Sequence, residues 1–107
     1  MTPDQPNRFE LVSVIMPCYN GERYVAEAVG DVLAQTYRPI QLIVVDDGST
    51  DRSAEIVARF GAAVTLIRQP NVGVAAARNA GLNVAGGTYV AFLDADDRWD
   101  SRFVETM

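Results

Sequence analysis

QLIVVDDGSTDRSAEIVARFG, Gln41 to Gly61, holds two secondary-structure periods back to back. Leu42 to Val45 form a continuous apolar run of mostly β-branched residues without alternation, the pattern of a strand buried on both faces. After Asp46, Asp47 and Gly48 the period changes. Ile56, Val57 and Phe60 recur on one helical face, Ser49 or Thr50 stands where an N-cap belongs, and Gly61 closes the run. Strand, short turn and helix make the repeating unit of a parallel sheet.

The same unit repeats on either side. Upstream, LVSVIMP (Leu11–Pro17) is an apolar run closed by proline and reads as a first buried strand. In GERYVAEAVGDVLAQTY that follows, Tyr24, Val25, Ala28, Val29, Val32 and Leu33 share one helical face, with Glu22, Glu27 and Asp31 elsewhere. Downstream, AVTLIR reads as a third strand, and VGVAAARNAGLNVAGG as a third helix rich in small residues and ended by Gly86 and Gly87. TYVAFLD reads as a fourth strand, and Asp100 or Ser101 opens a last helix. The order β-α-β-α-β-α-β predicts an α/β fold, a doubly wound and mainly parallel sheet with helices on both faces and right-handed crossovers.

Composition narrows the function. The chain has 107 residues, one domain's worth, with a net charge of -5. Its nine cations are all arginine and are scattered, which argues against nucleic acid as a partner. There is no histidine, so a Ser-His-Asp or Cys-His centre is excluded within these residues. The one cysteine, Cys18, sits among apolar neighbours and reads as a buried, inert thiol. No apolar run approaches the roughly 20 residues of a membrane span. The polar residues 1–10, with two prolines and no signal-peptide pattern, read as a flexible tail on a cytoplasmic protein, with attachment at the inner membrane face as a variant.

In parallel α/β sheets ligands bind beyond the carboxyl ends of the strands, where the winding reverses. Here the first strand ends in PCYN, the second in DDGSTD and the fourth in DADD. Asp46, Asp47, Asp94, Asp96 and Asp97, five of the 14 acidic residues, therefore crowd two strand ends. Capping or an Asx-turn accounts for one aspartate per turn, Asp51 among them, but not for both clusters. For one ligand to use all three ends, strands 2, 1 and 4 must be neighbours, which predicts the order 3-2-1-4. Strand 2 and strand 4 carboxylates then lie roughly 10 Å apart, about the span from a nucleobase to its pyrophosphate. On a regular strand Asp94 and Asp96 share a face about 6.6 Å apart. One cation takes both directly only if the chain turns there, so Asp96 is expected on a metal and Asp94 on bound water or a ribose hydroxyl. A carboxylate facing a phosphate at about 4 Å is repelled by about 4 kcal/mol at a surface dielectric. A divalent cation reverses that sign, and oxygen ligands suit Mg²⁺ or Mn²⁺.

VSVIMPCYNGERYVAEAV, LIVVDDGSTD, NVGVAAARNAGL and GTYVAFLDADD, in that order, resemble the family 2 glycosyltransferases of the GT-A fold from about Val12 to Trp99. The resemblance implies transfer of a sugar from a nucleoside-diphosphate sugar, UDP ahead of GDP and dTDP, to an acceptor hydroxyl with inversion. It also implies roles. Tyr19 lies against the base, the Pro17 region gives backbone contacts, and Asp47 accepts from the base's imino N–H while Asp46 supports that loop. Asp94 and Asp96 match the DxD motif of metal and ribose, and Arg78 lies near the diphosphate or orders the aspartates. Asn79 and Gly81 are packing or turn residues. Family enzymes carry the acceptor site and the catalytic base in a second half. Residues 11–107 are therefore expected to be the donor-binding part, truncated before that half, with no catalytic residue of their own. A homodimer through the exposed edge of the fourth strand is expected as well.

Other readings fit less well. A receiver domain and a P-loop both need a lysine. A haloacid-dehalogenase motif would end in Thr or Val where Arg98 stands, and a dinucleotide fold needs GxGxxG where the chain has YNGERY. A nucleotidyltransferase-like enzyme lacks its glycine-rich loop here. A nucleotide-binding or assembly module without turnover stays open.

Overall fold

The computed structural model describes residues 10–37 and 39–106, so the expected tail lies, except for Glu10, outside the described residues. Four strands alternate with helices: β1 (Val12–Cys18), α1 (Val25–Leu33), β2 (Ile40–Asp47), α2 (Ser53–Ala58), β3 (Val64–Gln69), α3 (Val74–Val84), β4 (Tyr89–Phe92) and α4 (Phe103–Thr106). All pairings are parallel and the order is β3-β2-β1-β4, as the acidic strand ends require. The chain winds outward from β1 to β3, then α3 carries it back past its start to β4. That reversal sets the switch point beside β1.

The two faces of the sheet divide alternate residues. Val12, Val14, Met16 and Cys18 of β1 and Leu42 and Val44 of β2 pack with Val25, Ala28, Val29 and Val32 of α1 and with Val57 of α2. Ile15, Ile43 and Val45 turn to the opposite face, where Ala77 of α3 meets them. Both central strands are thus covered on two sides, which is why neither shows polar alternation in the sequence. The edge strands are less covered than the central pair. In β4, Val90 is 36% and Phe92 45% exposed, because α3 sits over β1 and β2 and leaves that side of β4 uncovered.

Two helix boundaries also differ. Ser49 and Thr50 do not cap α2, which begins at Ser53 without a side-chain cap. The Asp51 carboxylate instead accepts the Ser53 N–H at 2.9 Å, closing an Asx-turn. α3 ends at Val84, before the glycines, as Ala85 turns extended. Gly86 and Gly87 then donate their N–H groups to Gln41 Oε1 and Ser13 Oγ, each at 2.9 Å. Among the described residues no helix is long and apolar enough to cross a membrane.

Gly81 allows the close seat of α3. A Cβ there would lie 2.5 Å from Cγ2 of Ile15, a fully buried side chain. Gly81→Ala is therefore expected to lower stability by about 1–3 kcal/mol through overpacking, despite the better helix propensity of alanine. Urea denaturation measures it; an unchanged or raised midpoint would show that the contact yields cheaply.

Candidate functional site

An open pocket of about 500 Å³ lies beyond the carboxyl ends of the strands. Pro17 of β1 and Tyr19 just after it line its middle. Asp47 with Asn71 and Gly73 of the β3–α3 loop line the β2 side, and Asp94 and Asp96 line the β4 side. This pocket thus joins Pro17, Tyr19, Asp47, Asp94 and Asp96. Two expected site residues stand outside its wall, Asp46 and Arg78.

Asp47 is 5% exposed and already well bonded. Its Oδ1 accepts from Gln69 Nε2 and from the Val72 N–H, both at 2.9 Å, and its Oδ2 accepts from the Gly73 N–H at 3.0 Å. A carboxylate offers about four acceptor positions, so one remains toward the pocket. The Gln69 bond first, and then the two backbone donors, hold its carboxyl below the usual range against the opposing effect of burial. The geometry of this loop also needs Gly48. Its φ is +72°, and a Cβ would lie 2.5 Å from the Asn71 nitrogen. Asp46 works from beneath: 2% exposed, it accepts the Ser49 N–H at 3.3 Å, while its Oδ1 has no partner among the described residues.

Tyr19 is 52% exposed and lines the pocket. The loop behind it is rigidly held. Asn20, at a φ of 49°, donates its N–H to Ser49 Oγ at 2.8 Å and accepts the Thr50 N–H on Oδ1 at 2.8 Å. Gly21 N–H donates to Ser53 Oγ at 2.9 Å, and Glu22 N–H to Asp51 Oδ2 at 3.1 Å. The run GSTD is therefore a brace between two loops, and Ser49 and Thr50 serve it rather than a helix cap. Cys18 is buried against the same loop. Burial pushes its thiol up, outweighing a Ser53 hydrogen bond, so it stays protonated at neutral pH.

The acidic turn departs from the regular-strand geometry. β4 ends at Phe92, and the Asp97 N–H donates to the Asp94 carbonyl at 2.9 Å, closing a turn. Carboxylate oxygens of Asp94, Asp96 and Asp97 consequently lie within 4.8 Å of one another, not on a flat strand face 6.6 Å apart. All three are exposed. This set of hard oxygen donors fits Mg²⁺ or Mn²⁺ in its chemistry. Arg78 Nη2 lies 3.5 Å from Asp94 Oδ1, and its guanidinium sits 5.8 Å from the centre of the Phe92 ring.

Tyr24 and Asn71 are among the lining residues that the sequence did not assign to a site. Tyr24, assigned to the buried face of α1, is 48% exposed and lines the pocket, because it precedes the first turn of the helix. Asn71 follows β3, and the order 3-2-1-4 already places that strand end beside Asp47. Asp97 joins the acidic set through the turn, which the bare DxD spacing does not reveal.

Asp47 gives a pH-dependent test. Its folded pKa lies below the ordinary 3.8, so its stabilisation is complete above that value and is lost as pH falls through the folded pKa. Asp47→Asn is expected to lose about 1–3 kcal/mol at pH 7. The gap to wild type should shrink in urea melts as pH drops below the usual carboxylate range. A gap that stays flat to acid would contradict the charged hydrogen bonds.

Comparison with known proteins bears on the same geometry. The family model described as glycosyl transferase family 2 matches residues 13–107. Glycosyltransferase GlyA of Streptococcus pneumoniae is 43% identical over 101 residues, which cover 92% of this chain and 14% of GlyA. Glycosyltransferase GlyG of the same organism is 44% identical, covering 92% of this chain and 34% of GlyG. The chain therefore spans about a third or less of the length of these relatives. Among solved structures, TarS 1-349 of S. aureus in complex with UDP superposes with a TM-score of 0.81 at 32% identity, covering 89% of this chain and 30% of that one. The mannosyltransferase PcManGT from Pyrobaculum calidifontis, in complex with GDP-Man and Mn²⁺, gives 0.81 at 32% identity, covering 92% and 32%. A parallel sheet in the order 3-2-1-4, a pocket at its switch point and a family match over nearly the whole chain agree: the chain belongs to glycosyl transferase family 2.

Proposed function

We propose that residues 11–107 are the donor-binding part of an inverting glycosyltransferase, which holds a nucleoside-diphosphate sugar with a divalent cation for transfer to an acceptor hydroxyl. The observation that carries this reading is the pocket itself. It has a nearly saturated carboxylate on one side, the open carboxylates of Asp94 and Asp96 on the other, and the carboxyl end of β1 with Tyr19 between.

In this reading Tyr19 offers its ring to the base. Asp47 uses its remaining acceptor position on the base's imino N–H, with Pro17 and the β3–α3 loop alongside. Asp96, with Asp94 and Asp97, would hold Mg²⁺ or Mn²⁺, and Arg78 keeps Asp94 in place. When bound, the cation neutralises charge that builds on the diphosphate leaving group. The chain's residues bind and orient the donor, while the base that deprotonates the acceptor belongs to a part of the enzyme outside these residues. UDP is the first nucleotide to test, with GDP and dTDP in the same panel, because the two similar structures carry UDP and GDP-Man respectively. Mn²⁺ comes ahead of Mg²⁺, since the PcManGT structure holds Mn²⁺. A cytoplasmic location, with attachment at the inner membrane face as a variant, completes the proposal.

Calorimetry of UDP with Mn²⁺ and with EDTA tests it. Nucleotide at 100 times its Kd should stabilise the fold by about 2.7 kcal/mol. Asp96→Ala is expected to abolish the Mn²⁺ dependence and keep weak nucleoside binding. Tyr19→Ala is expected to cost about 1 kcal/mol of binding in both conditions. Equal binding of UDP, GDP and dTDP with Mn²⁺ and EDTA would overturn the metal assignment. Binding without turnover in the longer protein would favour the non-enzymatic alternative.

A two-fold pairing through the β4 edge is also proposed, supported by exposed Val90 and Phe92. The shortness of β4, four residues, limits how much pairing it offers. Light scattering over a concentration series is expected to show dimer growth; a monomer at high concentration would remove this part.

A further inference from the structure

Glu27, Asp31 and Gln35 stand four residues apart along α1 and just past its end, so they follow one face. Nothing in the proposed pocket uses them, yet all three reach the segment after the acidic turn. Arg98 donates from Nε to Asp31 Oδ2 at 2.6 Å, from Nη2 to Asp31 Oδ1 at 3.1 Å and from Nη1 to Glu27 Oε2 at 3.0 Å. The Trp99 N–H donates to the same Asp31 Oδ2 at 2.9 Å. Gln35, 3% exposed, donates to the Asp100 carbonyl at 2.6 Å and accepts the Val104 N–H at 2.9 Å.

This seam is unlike an ordinary surface ion pair. Arg52–Glu55 and Arg59–Glu55 on α2 join side chains that are each more than half exposed, and such pairs contribute little. The Asp31 side chain is 15% exposed, takes a two-pronged guanidinium and also accepts a backbone N–H. Arg98 follows Asp97 directly. The acidic turn is thus pinned at both ends. In front, Leu93 N–H donates to the Ile15 carbonyl at 3.1 Å, and behind, Arg98 and Trp99 are fixed to α1. Three carboxylates whose oxygens lie within 4.8 Å repel one another, and a turn loose at one end relaxes by opening.

We infer that Asp31 is a positioning residue for the acidic turn: by holding Arg98 and Trp99 it keeps Asp94, Asp96 and Asp97 converged and so sets the affinity for the divalent cation. This rests on the metal reading under the proposed function. Asp31 touches neither nucleotide nor metal, so its loss should separate the two kinds of binding.

The test is Asp31→Asn, which keeps the shape but turns one acceptor into a donor facing Arg98 or Trp99. Mn²⁺ affinity in the presence of UDP should fall about tenfold, the low end for partners that orient metal ligands. UDP binding in EDTA should not change. Arg98→Lys, at an exposed position that tolerates the change, keeps the charge without the fork and should give a smaller loss in the same direction. Glu55→Gln serves as a distant control and should match wild type. Amide hydrogen exchange gives a readout free of metal: in Asp31→Asn the Trp99 amide and those of residues 94–98 should exchange faster. Unchanged Mn²⁺ affinity with a released Trp99 amide would overturn the inference. So would a parallel fall of metal-bound and metal-free UDP binding, which marks general unfolding. If wild type binds UDP equally with Mn²⁺ and EDTA, the metal reading falls and takes the affinity claim with it. Exchange across residues 94–99 then decides whether Asp31 holds the turn at all, and no change there overturns that too.

Discussion

β1 and β2 pair in parallel over seven positions, from Val12 with Ile40 to Cys18 with Asp46, and end within one residue of each other. The loops that leave them start side by side. Asn20, Gly21 and Glu22 meet Ser49, Thr50, Asp51 and Ser53 there, and the brace between them forms from backbone N–H groups and short polar side chains. A one-residue slip would reverse every side chain of β2 between the two cores and part the loops. β4 depends on the same strand differently. Its last pair joins Phe92 to Ile15, three residues short of the end of β1. Residues 93–97 are therefore free to turn beside Met16–Tyr19 instead of continuing the sheet, and the space that opens is the pocket.

The two acidic clusters look alike in sequence and differ in physical state. Asp46 and Asp47 are almost wholly buried, and Asp47 is surrounded by donors that stabilise its charge. It fixes the β3–α3 loop and leaves one acceptor position for a ligand. Asp94, Asp96 and Asp97 are exposed and close together. Their repulsion is countered by anchoring at the ends of the turn and, at Asp94, by the Arg78 guanidinium 3.5 Å away, rather than by donors aimed at each oxygen. The first cluster is a finished structure and the second is open coordination chemistry. That asymmetry suits a ligand with a neutral base at one end and a diphosphate at the other.

Much of this was legible in the residues. The strand order followed from asking that three strand ends serve one ligand, and the unbroken apolar runs of β1 and β2 followed from cover on both faces. Local chemistry was harder. Ser49 and Thr50 have the residue type of an N-cap, and no local signal says that Asn20, 30 positions away, competes for the Thr50 amide. The turn at Asp94 depends on where β1 stops supporting β4, a register fact with no local trace. Arg98 and Asp31 are 67 residues apart, so their pairing is a product of tertiary packing. Tyr24 was misplaced by helical periodicity because that period carries no information about where the helix begins.

The central claim is that one ligand spans the pocket, base at the Tyr19–Asp47 side and cation at the acidic turn. Backbone amide NMR spectra, with UDP added and then substoichiometric Mn²⁺, test it most directly. The account predicts that UDP shifts the amides of Tyr19, Asp47, Val72 and Gly73, and that Mn²⁺ then broadens residues 94–97 most, fading with distance from that turn. Broadening centred on another acidic group, or UDP shifts on the far side of the sheet, would contradict it.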